Sequence, residues 1–310
     1  MLNFYKKSDD GLKEIDSIEK DCWINAVQPN YIELNEISKE LDVPEEFLTD
    51  PLDIDERARI EVEDEHILII LKIPYLDKEN PEVPYNTVPL GIIYSEHNIT
   101  TVCSMETDIL STFIDRKIKN VSLKNKEKFI LLIFLRTAIL YLKFLRQISN
   151  ITNDLEKNLH KSMKNQELIK LLDLEKSLVY FTTALKSNEI MIGRLSIQKR
   201  FKLNTDHRDL LDDVLVEYRQ GIEMASVYSN ILSGMMDAFA SVISNNLNVV
   251  MKFLTSVTII LMLPTLISSI YGMNIALPFQ ESPYAFLITM GGSLGLAIIC
   301  VVLFMYRKWF

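Results

Sequence analysis

Soft metal ligands are scarce in this 310-residue chain. Its three cysteines, Cys22, Cys103 and Cys300, stand far apart and form no Cys-x-x-Cys. That excludes a zinc knuckle or a dithiol redox motif. The four histidines, His66, His97, His160 and His207, are scattered, none at ligand spacing to another histidine or cysteine. Each reads as a surface or core residue. No Gly-x-x-x-x-Gly-Lys-Ser/Thr loop is present, so an ATP-driven machine has no support. No nucleophile–base pair stands out, which makes an enzyme the weakest class. The start, Met1-Leu2-Asn3-Phe4-Tyr5-Lys6-Lys7 with Asp9 and Asp10 after it, lacks the apolar core of a secretory signal. Internal repeats and low-complexity segments are also missing.

The most informative absence is charge near the end of the chain. Between Phe253 and Gln280 there is none, and after Glu281 there is none until Arg307. A bilayer core takes about 20 apolar residues in a helix, so each run is long enough to span. Pro278 and Pro283 bracket the break between them. The expectation is two transmembrane helices, roughly residues 252–272 and 284–306, joined by a tight loop. Lys252 precedes the first, and Arg307 and Lys308 follow the second. Basic flanks stay inside, so both termini are expected in the cytoplasm. A buried hairpin of a soluble protein is the bland alternative, but soluble cores rarely hold two uncharged runs of this length.

The net charge is −9, and Lys252, Arg307 and Lys308 against Glu281 leave −11 on the residues before them. An acidic body argues against nucleic-acid partners. It suits the attraction of cations, although many soluble proteins are equally acidic.

Residues 1–125 read as a mixed α/β unit. Helices are expected from Asn30 to Leu41 and from Glu45 to Asp50, each ending at a proline. Arg59–Glu63 and Ile67–Ile73 are expected to form a hairpin through Asp64-Glu65-His66, and Val88–Tyr94 with Ile99–Cys103 a second strand pair. The acidic loop Asp77-Lys78-Glu79-Asn80-Pro81-Glu82 reads as a solvated loop rather than a metal site. From Asn125 the pattern turns helical. Phe129–Leu135 is apolar, but Arg136, Lys143 and Arg146 interrupt it too soon for a span. Two long antiparallel helices account for residues 126–203, ending near Arg200. Asn204, Thr205 or Asp206 can cap a further helix. If unbroken to Tyr271, its 67 residues extend for roughly 100 Å. The fold class expected is α+β: a cytosolic α/β domain over 1–125, long helices over 126–203, the cytosolic part of a pore helix over 204–251 and a two-span membrane domain over 252–310. Gly291 and Gly295 suit close packing of the second span against the first.

The first span is not uniformly apolar. Ser244, Asn248, Met251, Thr255, Thr258, Met262, Thr265 and Ser269 alternate steps of four and three residues. That period of 3.5 keeps one stripe on one helix face. Such a stripe reads as a water-filled pathway more readily than as packing residues. One helix cannot enclose a pore, so several copies are expected around an axis.

The stripe leads to Tyr271-Gly272-Met273-Asn274, at the outer end of the first of the two spans. This resembles the signature of the CorA family of magnesium channels, and Asn245–Thr255 resembles that family's inner-pore segment. The resemblance is firm from about Asp206 to Phe310 and looser upstream, where Trp23-Ile24-Asn25 and Asp50–Glu61 fit. It implies a homo-oligomer, pentameric, that passes divalent cations through the bilayer, with Mg2+ as cargo and regulator. Asn274 would offer amide oxygens to the waters of a hydrated ion, which Mg2+ sheds reluctantly. Gly272 is expected at a sharp turn of positive φ, with Tyr271 and Met273 bracing it. A pore lined by Asn248, Met251, Leu254, Met262 and Thr265 is implied, with Asp237 near its cytosolic end. Gating by cytosolic Mg2+ between subunits is implied too, with Asp213 on the long helix facing Asp50 of a neighbour and Asp212 beside it. The family often has an acid where this chain has Thr49.

Two rivals remain open. One is a transporter of zinc, cobalt or nickel sharing the same signature. The other is a membrane-anchored sensor or scaffold, which explains two spans but not the stripe.

Overall fold

The computed structural model describes residues 1–8, 11–77, 80, 82–115, 123–161, 165–275, 277–278, 282–307 and 309. They fall into two compact units, Met1–Met235 and Met236–Phe310. The fold class is the α+β one expected.

The first unit is built on a seven-stranded sheet. In chain order the strands are β1 (Leu2–Ser8), β2 (Gly11–Ile15), β3 (Cys22–Val27), β4 (Arg59–Glu63), β5 (His66–Leu76), β6 (Tyr85–Tyr94) and β7 (Ile99–Cys103). Their order across the sheet is β2-β1-β3-β7-β6-β5-β4. All neighbours are antiparallel except β3 and β7, which run parallel with Ala26 opposite Val102.

Side-chain alternation along β5 feeds both faces of the sheet. Leu68 and Ile70 join Ile37, Phe47 and Leu48 in one buried cluster. Those three come from α1 (Tyr31–Leu41) and α2 (Glu45–Thr49). Ile67, Ile69 and Leu71 point the other way, towards α4 (Lys126–Lys161) and α5 (Asn165–Leu195). The apolar run Phe129–Phe134 lies on α4 and is core, as its interrupting charges required. Trp23 is fully buried between Tyr5, at 5.1 Å, and Phe129, at 5.2 Å between ring centroids. Its Nε1 donates to Thr101 Oγ1 at 2.8 Å, and that hydroxyl donates to Asn25 Oδ1 at 3.0 Å. Trp23 and Asn25 are therefore structural.

The elements differ from expectation in informative places. Strands β1 to β3 and the short helix α3 (Asp108–Ile114) were not read from the sequence. β5 begins at His66, the turn being Asp64-Glu65 alone, with Asp64 left-handed at φ 45°. β6 starts at Tyr85, three residues early, and α5 stops at Leu195, short of Arg200. Of the acidic loop, Lys78, Glu79 and Pro81 lie outside the described residues. Cys22, Cys103 and Cys300 are all free. His66 and His207 are buried, and His97 is exposed.

The long helix α6 runs unbroken from Thr205 to Tyr271 through Pro264. Asn204 caps its start, its Oδ1 accepting from the His207 N–H at 2.8 Å. The second unit holds the rest of α6 and α7 (Ala285–Tyr306). Both helices are long and apolar enough to cross a membrane. Their side chains are mostly exposed, but Ser256 and Ser293 are buried and donate to Lys252 O and Met290 O within their own helices. A Cβ added at Gly291 or Gly295 would meet nothing within 4 Å, so the close packing expected of that pair is not made among the described residues of one chain.

Candidate functional site

The end of α6 carries the first group of candidate residues. The Gly272 N–H donates to Ser268 O at 3.0 Å, and the Met273 N–H closes a tighter turn on Ile270 O at 3.2 Å. Gly272 does not take a positive φ; Gly11 is the one described glycine that does. The expectation for Gly272 is thus corrected, because the chain leaves α6 by tightening the helix rather than by reversing its hand. A Cβ at Gly272 would lie 3.3 Å from Ser268 O, the carbonyl that accepts its N–H. Tyr271 donates its hydroxyl to Pro278 O at 3.2 Å, tying the turn to the chain beyond it. Asn274 is exposed, and its carboxamide has no hydrogen-bond partner among the described residues. Glu281 lies outside them.

The stripe along α6 is open along its length. Asp237, Ser244, Asn248, Met251, Leu254, Thr255, Thr258, Met262, Thr265 and Ser269 are all exposed. Thr258 donates to Leu254 O at 2.8 Å and Thr265 to Leu261 O at 3.0 Å. Donation to the helix leaves each hydroxyl oxygen turned outward as an acceptor. A row of acceptors is what a hydrated cation, whose waters donate, requires.

The acidic candidates lie in the first unit. Asp50 opens a 3-10 turn, Asp50–Leu52, after α2. This turn is seated by Pro51, which packs where β6 carries Gly91. A Cβ at Gly91 would come within 2.2 Å of Pro51 Cγ, so only glycine fits there. Asp50 Oδ2 accepts from Arg59 Nη2 at 2.5 Å. The same guanidinium also binds Glu56, at 3.1 Å, and Glu61. Burial alone would lower the Arg59 pKa, but Glu61 and Glu56 raise it above its ordinary value. Asp212 and Asp213 are exposed between buried Leu211 and Val214, and neither has an ion-pair partner among the described residues. No group of three or more His, Cys, Asp or Glu able to hold a metal occurs among the described residues of one protomer.

A family model described as CorA-like Mg2+ transporter protein matches residues 19–308. The chain belongs to this family. CorA relatives span nearly all of it. The cobalt/magnesium transport protein CorA of Methanocaldococcus jannaschii is 28% identical over 292 residues, 92% of this chain and 90% of the relative. Its namesake in Thermotoga maritima is 26% identical over 274 residues, 84% of this chain and 75% of the relative. The solved complete structure of the CorA magnesium transporter from M. jannaschii superposes with a TM-score of 0.86 at 25% identity, covering 100% of this chain and 99% of that one. CorA proteins are membrane transporters of divalent cations, not enzymes, and the two membrane-length helices agree with that.

Arg59 as the partner of Asp50 was not read from the sequence. Neither was Gly91, although an isolated glycine inside an apolar strand signals close approach of another segment. Lys72 of β5 was missed too: its Nζ donates to Ile54 O at 2.7 Å, just beyond the Asp50 turn.

Proposed function

We propose that this chain forms a homo-oligomeric, pentameric channel that admits Mg2+ to the cytoplasm, with Co2+, named in its relatives, as a second substrate. Both termini are cytoplasmic. Residues 1–125 form the cytosolic α/β domain, 126–203 the long helices, 204–251 the cytosolic part of the pore helix and 252–310 the membrane domain. The observation that carries the reading is the end of α6, where the Tyr271–Asn274 turn of a CorA family member presents an exposed carboxamide with no hydrogen-bond partner among the described residues.

Asn274 from each copy forms a ring of amide oxygens that accepts from the waters of a hydrated ion. An amide holds such an ion without a full fixed charge, which leaves exit possible. The ion then passes the α6 stripe, where Met251, Leu254 and Met262 form apolar constrictions that close by dewetting. Asn248, Thr255, Thr258, Thr265, Ser244 and Ser269 supply acceptors between them, and Asp237 lies near the cytosolic end. The membrane potential favours entry by about 2.3 kcal/mol per elementary charge for each 100 mV.

Closure follows from Mg2+ held between copies, by Asp213, with Asp212 beside it, and Asp50 of a neighbour. Bridged by the metal, these acids stabilise the closed ring, and without it they repel. Arg59 gives this proposal a specific form: the ion at Asp50 competes with a guanidinium already in place.

The test is Mg2+ uptake into liposomes carrying the purified protein, native against Asn274→Ala. Support is uptake lost in the variant and suppressed by Mg2+ on the cytosolic-domain side. Native protein that passes Zn2+ but no Mg2+, or passes nothing, overturns the reading in favour of the corresponding rival.

A further inference from the structure

A cleft of about 530 Å³ in the first unit includes none of Asp50, Asp212 or Asp213. The end of α1, the β4–β5 turn and the β6–β7 turn all contribute to its lining. Five carboxylates line it against one ammonium, that of Lys20. Glu19 is paired with Lys6 at 2.5 Å. The other four, Glu40, Asp42, Glu65 and Glu96, are exposed, and none has an ion-pair partner among the described residues. The flanking charges do not restore the balance. Asp21 and Asp64, beside the lining, are offset by Lys126, which donates to Ser95 O at 2.7 Å and to Glu96 O, and by Arg200, which donates to Asp64 O. The last carbonyls of α1 add partial negative charge. A cleft lined by one sign of charge focuses its field on a counter-ion.

Solvated carboxylates alone are ordinary, but the floor beneath these is built of buried polar side chains. His66 is 8% exposed, Ser95 7% and Asn98 6%. Asn98 is fixed by its Oδ1, which accepts from the Cys22 N–H at 3.2 Å. His66 Nδ1 lies 2.7 Å from Ser95 Oγ. With Nδ1 as the donor of that bond, Nε2 is left as an acceptor. Nε2 has no partner among the described residues and is not sealed off by protein, so it opens into the cleft that His66 lines. A largely buried acceptor left unpaired costs free energy that a donor from a ligand recovers.

The shape of this charge selects the ligand. Among the described residues no three His, Cys, Asp or Glu side chains converge to hold one metal ion, so a single bound ion leaves most of the carboxylates unmet. Glu40 and Asp42 come from the end of α1, and Glu65 and Glu96 from the two turns. Ile18 and Leu41 give the same cleft an apolar part. Several ammonium groups joined by methylene chains match this pattern: each ammonium makes charge-assisted bonds, and the methylenes lie along apolar surface. The volume lies within the range of small-molecule pockets. We propose that this cleft binds a linear polyamine, its ammonium groups on the carboxylates of α1 and of the two turns and one amine N–H on His66 Nε2.

Isothermal titration calorimetry on the full-length protein, in micelles of an uncharged detergent and stripped of divalent cations, tests this. Spermidine is the first probe and Mg2+ the second. Saturable spermidine binding is expected, weakened about threefold by Glu65→Gln and by Glu96→Gln and about tenfold by both together, as for exposed ion pairs. Both side chains are exposed, so these variants test the site without disturbing the fold. His66→Asn keeps a polar group near the place of Nδ1 and removes Nε2; it should weaken spermidine about tenfold, the loss of one charge-assisted bond, with melting followed alongside. Glu223→Gln, an exposed acid of α6 outside the cleft, should leave binding unchanged. No saturation with spermidine in the millimolar range, or a Glu65→Gln/Glu96→Gln double variant that binds as the native protein does, overturns the proposal. A folded His66→Asn variant with native affinity, or an effect of Glu223→Gln equal to that of Glu65→Gln, overturns it too, leaving only general attraction to an acidic chain. Mg2+ binding weakened by the cleft variants as strongly as spermidine binding also overturns it, in favour of an ion site.

Discussion

Asn188 of α5 holds both main-chain polar groups of Lys72. The Lys72 N–H donates to Asn188 Oδ1 at 3.0 Å, and the Lys72 carbonyl accepts from Nδ2 at 2.7 Å. Lys72 faces Pro89 on β6 and has no β4 residue paired with it, so a side-chain amide completes what a strand would. The Tyr141 hydroxyl of α4 donates to the same carbonyl at 3.0 Å, joining both long helices to one strand residue.

Replacement of this amide is therefore costly. Asn188→Leu leaves the Lys72 N–H unpaired and removes one of two donors from its carbonyl. A loss of about 2–3 kcal/mol is expected from one orphaned group and one broken bond. A denaturant titration of the purified protein checks it. Lys72→Met keeps the main chain and its bonds, so it should cost clearly less.

Gly91→Ala should destabilise by about 1–3 kcal/mol, because the new methyl overlaps Pro51 and the interior has no slack to take it. The displaced turn carries Asp50. Under the proposed gating, the Mg2+ concentration that half-protects the protein from proteolysis should rise several-fold. A normal melting curve with unchanged protection would break the link between Gly91 and Asp50.

Arg59→Gln removes the competitor at Asp50 and leaves Glu56 and Glu61 uncompensated beside it. The half-protecting Mg2+ concentration should then fall, by about three- to tenfold for a charge of this proximity. Asp50→Asn and Asp213→Asn should raise it or abolish protection. If Arg59→Gln raises it instead, the guanidinium organises the site rather than occupying it.

Burial pushes the Cys103 thiol up to about 11 and raises that of Cys22 above its ordinary value. The folded thiols therefore stay neutral where an unfolded chain, near 9.0 for Cys103, already ionises. Stability from Cys103 is present below pH 9 and declines as pH rises towards 11. Cys103→Ser should flatten that decline. Iodoacetamide at pH 8, read by mass spectrometry, should modify Cys22 and Cys103 only after denaturation.

Local pattern carried much of the fold. The hairpin of β4 and β5, the pair β6 and β7, and the helices α1, α4, α5 and α6 announce themselves by period and by the absence of proline or charge. The strands β1 to β3 do not. Lys6 and Lys7 end β1 in a polar run, and β3 finds its parallel partner in β7, where Trp23 sits opposite Ile99. No local period encodes a pairing that distant. At the candidate site, Tyr271–Asn274 was legible because its residue types and its place after a membrane-length run coincide. The pairing of Asp50 with Arg59 was not, since it depends on how a turn and an adjacent strand close in space.

The amide of Asn188 has one more consequence. A strand whose outer N–H and C=O groups stay open is a template on which a second chain can add by backbone pairing. β5 outlasts β4, so its apolar stretch from Leu71 onward is such a template unless something occupies it. Asn188 occupies it at Lys72, and the same contact that joins helix to sheet also closes that part of the edge to a second chain.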